Sequence, residues 1–174
     1  MKAALDATPL TVTTGGIRRY TEELHRALGA AFPGDEFRLL QQPGHVRRWW
    51  STGLPLELVR GRYDVFHGTD FAVPYLPVRP SVMTLHDLSP WRGFPASERV
   101  RQRTPWLLKL RLATMVITPT EAVRREACEY FGLPAGRVVA VPEASRAWEH
   151  QARIGGGPQY LLFAGTVGPR KNLD

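Results

Sequence analysis

Hydrophobic and polar positions along this chain fall into two alternating kinds of block. Short apolar runs rich in branched and aromatic residues read as strands: "KAALDA", "FRLLQ", "YDVFHG", "SVMTLHDL", "MVIT" and "RVVAVP". Longer stretches between them carry helical spacing. In "GIRRYTEELHRALGAAF", Ile17, Tyr20, Leu24, Ala27, Leu28 and Ala31 share one face, while Arg18, Arg19, Glu22, Glu23 and Arg26 share the other. "PGDE" ends that helix. "ASERVRQRTPWLLKLRLAT" also reads as helical, with Pro105 expected to break or kink it. In "MVITPTEAVRREACEYFGLPAGRVVAVP" the spacing predicts Thr118 as N-cap, Pro119 in the first helical position, Glu121 completing a capping box, and Gly132 as the stop. "PGHVRRWWSTGLPLELVRGR" is irregular and predicts a short helix with loops.

Strand, helix, strand in repeated order predicts an α/β fold, a Rossmann-like doubly wound sheet that is mostly parallel. Such sheets bind ligands beyond the carboxyl ends of their strands. Three segments are expected there: "TTGG" after the first strand, "HDLSP" after the fourth and "TPTE" after the fifth. Near the end the pattern changes. "ARIGGGPQ" has linker composition, and "YLLFAG" then reads as a fresh buried strand leading into "TVGPRKNLD".

Composition narrows the class. With 174 residues and 43% hydrophobic content, the chain can build a real core. Its one cysteine, Cys128, excludes an internal disulfide and a cysteine-based zinc cluster, and it sits in a helical stretch where packing is its expected role. No secretory signal is read at "MKAALDATPL", and no run reaches the length of a membrane helix, so a cytoplasmic location is expected. The net charge of +7 favours anionic partners. That charge is almost all arginine, since lysine occurs only at Lys2, Lys109 and Lys171, and it forms no tail of the kind that binds nucleic acid.

Few residues carry chemistry by position. Gly15 and Gly16 lie between a strand and a helix, where glycine permits either a tight turn or close approach of a phosphate to a helix N-terminus. The spacing is neither that of a dinucleotide fingerprint nor that of a P-loop. His86 and Asp87 follow an apolar strand, so both are placed at its carboxyl end; Asp87 can equally cap the next segment. His67 and Asp70 read as loop structure, and His25 and His150 as surface residues. No metal-ligand spacing and no nucleophile elbow is present. Arg170 and Lys171, adjacent at a helix start after a glycine-bearing loop, make an anion site of a planar fork and a mobile point charge.

Taken in order, "GGIRRYTEELHRAL", "VFHG", "VMTLHDLSP", "VITPTEAVRREACEYFGLPAGRVVAVPEA" and "YLLFAGTVGPRKNLD" resemble family 4 glycosyltransferases, retaining enzymes of the GT-B fold. The resemblance implies that residues 1–155 form an acceptor-binding domain. It makes residues 156–174 a linker and the first strand of a donor-binding domain, so that the chain alone would be inactive. It implies that Gly15 and Gly16 approach the donor diphosphate, that His86 contacts the transferred sugar with Asp87 beside it, and that Arg170 and Lys171 hold the leaving diphosphate. The donor would be a nucleotide-sugar, with no cofactor and no metal needed. The acceptor would be a glycan or a lipid-linked glycan. "RRWW" (Arg47, Arg48, Trp49, Trp50) would then dock an acceptor at an anionic inner membrane face. Gly168 departs from the glutamate that many relatives carry before the proline. Two other classes stay open on the residues: a non-catalytic module of this fold holding a phosphorylated ligand or nucleic acid, and a GT-B sugar-nucleotide epimerase.

Overall fold

The computed structural model describes residues 1–12, 15–41, 46–94 and 96–144. The chain divides into two units, Met1–Pro142 and Glu143–Asp174, and every element below belongs to the first. "YLLFAG", Arg170, Lys171, His150 and the boundary expected near residue 155 lie outside the described residues.

Six strands form one sheet: β1 (Lys2–Asp6), β2 (Glu36–Leu40), β3 (Val65–Gly68), β4 (Ser81–Thr84), β5 (Met115–Thr118) and β6 (Val138–Ala140). Their spatial order is β2-β1-β3-β4-β5-β6, and every pairing is parallel. The Rossmann-like α/β sheet expected from the alternating blocks is therefore present, and more uniformly parallel than expected. The chain leaves β1 toward β2 on one side, then crosses back to β3 on the other. Right-handed crossovers send those two connections to opposite faces, which opens a crevice at the carboxyl ends of β1 and β3.

Among the helices are α1 (Pro9–Val12), α2 (Gly16–Ala31), α3 (Val46–Arg48), α4 (Leu54–Arg60), α5 (Glu98–Lys109) and α6 (Glu121–Phe131). Fully buried Leu54, Leu58, Phe66, Val73, Met83, Leu85, Leu107, Leu108 and Val116 form the core between the sheet and the α4, α5 side. Each such side chain contributes about 1.5–3 kcal/mol on burial. The apolar face expected on α2 is only half-covered: Ile17, Tyr20, Leu24 and Leu28 are partly buried, Ala27 and Ala31 are exposed, and the helix's one buried residue is Thr21. His25, expected at the surface, is half-buried, with its Nε2 3.1 Å from the Phe37 carbonyl of β2.

Four local expectations are corrected. First, "VRRWWSTGLPLELVR" is helical throughout, because a π-turn over Trp49–Gly53 joins α3 to α4. Leu54 N donates to Trp49 O in an i→i−5 bond, which takes up the register next to Pro55. Second, that turn carries both tryptophans inward. Trp49 is 9% exposed and Trp50 3%, so neither is at the surface to dock a membrane, while Arg47 and Arg48 are exposed. A Cβ on Gly53 would stand 2.9 Å from the Trp49 ring, so glycine is what admits it. Third, Pro105 does not break α5. The Arg101 carbonyl that proline cannot serve accepts instead from Trp91 Nε1 at 3.1 Å. Fourth, the N-cap of α6 is Thr120, whose hydroxyl accepts from Val123 N, because Thr118 is still the last residue of β5. The stop at Gly132 holds, with φ at 62°.

Among the described residues no helix is long and apolar enough to cross a membrane.

One glycine is dictated by packing. After β3 the chain folds back so tightly that a Cβ on Gly68 would fall onto the Ala72 carbonyl. By contrast, a Cβ at Gly15 or Gly16 meets no described residue within 4 Å, and neither has positive φ. Gly68→Ala is therefore expected to cost about 3 kcal/mol or more. Gly15→Ala and Gly16→Ala should change stability by no more than about 0.5 kcal/mol. Urea midpoints of the three variants check this, and equal midpoints for Gly68→Ala and wild type would refute the close approach.

Candidate functional site

The carboxyl edge of the sheet gathers polar groups that the strands themselves deliver. β1 ends at Asp6, β3 at His67-Gly68, and β4 at Thr84, followed by Leu85 and His86. The loop Thr69–Val73 joins them. Thr69 Oγ1 donates to the Asp6 carbonyl at 3.0 Å, and His86 Nε2 stands 2.8 Å from the Thr69 carbonyl. A carbonyl only accepts, so Nε2 carries a proton. Phe71 N donates to Thr84 O at 3.2 Å, and Thr104 Oγ1 of α5 donates to Phe71 O at 2.9 Å. These bonds hold Phe71 at φ 51°, a left-handed conformation costly for a bulky residue. Its ring packs edge-on against His86 at 6.1 Å and Trp91 at 5.8 Å.

His86 also meets Tyr20 of α2, edge to face, with ring centroids 4.9 Å apart. Tyr20 OH lies 3.0 Å from Thr84 Oγ1, which is 2.8 Å from His67 Nε2. A hydroxyl–hydroxyl–imidazole chain thus ties α2 to β3 and β4. Tyr20 is one helical turn from Gly16, a rise of about 6 Å. His86 and the glycine pair are therefore brought to one edge, as their places in the chain imply. Asp87 caps the short helix Ser89–Trp91, its Oδ1 accepting from Ser89 N at 2.9 Å and from Ser89 Oγ at 2.6 Å. Arg47 and Arg48 belong to α3 and are exposed.

Several contributors carried no signal of function in the sequence. His67 lies in β3, the strand read from "YDVFHG". It is half-buried by area, yet its ring is shut away from water, and that desolvation, with the nearby His86, pushes its pKa down to about 4. Asp6, 3% exposed, is pushed up to about 6 by burial, against the opposing hydrogen bonds from Thr8 Oγ1 and N. Burial also raises Asp70 and lowers Arg103. A charged residue closing the otherwise apolar "KAALD" was a legible hint for Asp6. Arg103, on the polar-looking part of a helix, offered none. Asp6, Thr8, Trp50, Asp70 and Arg103 line a cavity of about 300 Å³.

The two buried titrations oppose each other. His67 stays neutral when folded, so its contribution is present above its ordinary 6.5 and is lost as pH falls toward about 4. Asp6 stays protonated longer when folded, so its contribution is present below 3.8 and is lost as pH rises through about 6. Each is on the order of 3 kcal/mol at most. Wild-type stability between these limits should therefore be nearly flat. Asp6→Asn should leave a protein that weakens on acidification, and His67→Gln one that weakens as pH rises over the same range. Urea midpoints near pH 4 and near pH 6.5 read both slopes, and parallel profiles for the two variants would refute the assignment.

Residues 14–144 match the family model described as Glycosyltransferase Family 4. The matched stretch is most of the chain and contains Gly15, Gly16, Tyr20, His67, Asp70, His86, Asp87 and Arg103. No curated protein matches the chain.

Proposed function

The chain belongs to glycosyltransferase family 4, and from that premise we propose that it is the acceptor-side domain of a retaining transferase. The enzyme moves a sugar from a nucleotide-sugar to a glycan or lipid-linked glycan. The observation that carries this reading is the start of α2. Gly15 has φ −97° and ψ −154°, a backbone open to any residue, and a side chain at Gly15 or Gly16 would stand in open space. No described residue crowds either position, and glycine there leaves the backbone open to a ligand lying against it. The first turn of α2 holds no acidic residue but has Arg18 and Arg19, cations at the positive end of the helix dipole. An anion seated there removes that conflict.

Cleaving the bond between sugar and diphosphate places negative charge on the leaving group and positive charge on the sugar. The amides of Gly15 and Gly16 and the α2 dipole stabilise the first. Arg170 and Lys171, outside the described residues, join them in this proposal. His86, fixed by Thr69, Tyr20 and Phe71, contacts the sugar at the carboxyl edge. Asp87 holds the turn that follows and is a positioning residue. With both tryptophans buried, docking at an anionic membrane face falls to exposed Arg47 and Arg48. Reversing both charges (Arg47→Glu with Arg48→Glu) should lower co-sedimentation with phosphatidylglycerol vesicles. Unchanged binding would remove the membrane from this proposal.

In the active transferase, His86→Ala should keep nucleotide-sugar binding and lose about a hundredfold or more in kcat, the scale of one lost transition-state contact. Gly16→Val should weaken donor binding while leaving the unfolding midpoint near that of wild type. Full transfer by His86→Ala would remove that residue from the site, and undiminished donor binding by Gly16→Val would do the same for the glycine pair.

A further inference from the structure

We propose that the cavity at the ends of β1 and β3 is a subsite for one neutral pyranose ring, gripped by Asp6, Asp70 and Arg103 against Trp50. The cavity lies at the point where the strand order β2-β1-β3 reverses, the crevice in which sheets of this kind take ligands. Its volume, about 300 Å³, is at the small end of ligand cavities and suits a single ring.

Two of its polar atoms make the case. Asp70 Oδ1 and Arg103 Nε are both buried, and neither makes a hydrogen bond to a described residue. Buried polar atoms are almost always paired, and leaving one unpaired is costly, more so for a charged group. The two groups have not simply failed to meet through looseness. Arg103 is packed over the Trp50 ring at 5.6 Å and held by Tyr75. Asp70 stands between Thr69, whose side chain and carbonyl are both bonded, and Phe71, whose left-handed backbone is bonded at N and O. The scaffold keeps an acceptor and a donor in place with no partner among the described residues.

Charge then selects the ligand. An apolar molecule would leave both atoms unpaired. An anion meets two carboxylates, and a simple cation meets a guanidinium. A ring bearing hydroxyls satisfies all three, since a hydroxyl donates to a carboxylate and accepts from Arg103. Trp50, Ala72 and Val12 add apolar lining beside these polar groups. Thr69 links this cavity to His86, and Asp70 feels the charge of both His86 and Arg103. A ring seated here adjoins the edge assigned to the sugar donor. Calling it the acceptor's ring rests on the reading under Proposed function, whereas its binding does not.

The test uses the chain Met1–Asp174 with methyl α-D-glucopyranoside, methyl α-D-mannopyranoside and methyl β-D-galactopyranoside as probes, and glycine and cyclohexanol as controls. Saturation-transfer NMR should show at least one pyranoside binding in the millimolar range and neither control binding. Asp70→Asn should weaken it tenfold or more. Thr11→Trp, at the exposed rim of the cavity, should abolish it by blocking entry without touching the buried pair, and so stands if Asp70→Asn fails to fold. No pyranoside signal, a preference for glycine or cyclohexanol, or pyranoside binding unmoved by Thr11→Trp would each overturn the subsite. None of these needs a donor or turnover, so they fail separately from the His86→Ala test.

Discussion

The tight return of the chain at Gly68 is the constraint from which the site follows. With the Ala72 carbonyl occupying the space a side chain would need, β3 must stop there and its loop must fold back over the sheet edge. That return puts Thr69 between Asp6 and His86, forces Phe71 into a left-handed backbone, and presents Asp70 to the crevice beside β1. The strain at Phe71 is offset by bonds from β4 and α5, so elements far apart in sequence fix one five-residue loop. A functional edge built this way does not depend on loop flexibility for its geometry.

Burying that much polarity has a cost, and the chain distributes it. His67 is kept neutral and bonded to Thr84, whose hydroxyl also reaches Tyr20, so one hydroxyl on β4 locks α2 to the sheet. This matters because the apolar face of α2 is half open and its one buried residue is Thr21, and His25 adds a second polar tie, to the Phe37 carbonyl of β2. The helix that offers its N-terminus at the edge is thus positioned by a polar chain more than by hydrophobic burial. Polar anchors of this kind are directional, which suits an element whose orientation sets where its amides point.

The sheet was legible because buried parallel strands read as apolar runs, and α2 and α6 because their periodicity and their stops at "PGDE" and Gly132 are local signals. The misreadings share one cause: a distant group changed what a local rule implied. Pro105 is tolerated because Trp91 supplies the hydrogen bond it lacks. "RRWW" resembles a surface anchor until a π-turn and Gly53 rotate both tryptophans inward. Thr118 reads as the cap of α6, but β5 runs through it and Thr120 takes that place. At the edge itself, His86 was legible from its place after a strand. Asp70 and Arg103 were not, since their significance lies in meeting across residues that have no relation in sequence.

Glycine separates the two kinds of constraint in this domain. At Gly68 and Gly53 the neighbouring atoms of the protein exclude a side chain, and at Gly132 the backbone angle does. At Gly15 and Gly16 neither applies: no angle there demands glycine and no described residue crowds the position. Gly15 is the helix N-cap, a place glycine suits, while Gly16 opens the helix with no packing neighbour to require it. The same edge has two arginines where a helix favours acids, and a cavity whose acceptor and donor have no partner among the described residues. The proposed function and the proposed subsite give these features, at the ends of adjacent strands, a common account: an anion at the start of α2 and a hydroxylated ring at the ends of β1 and β3.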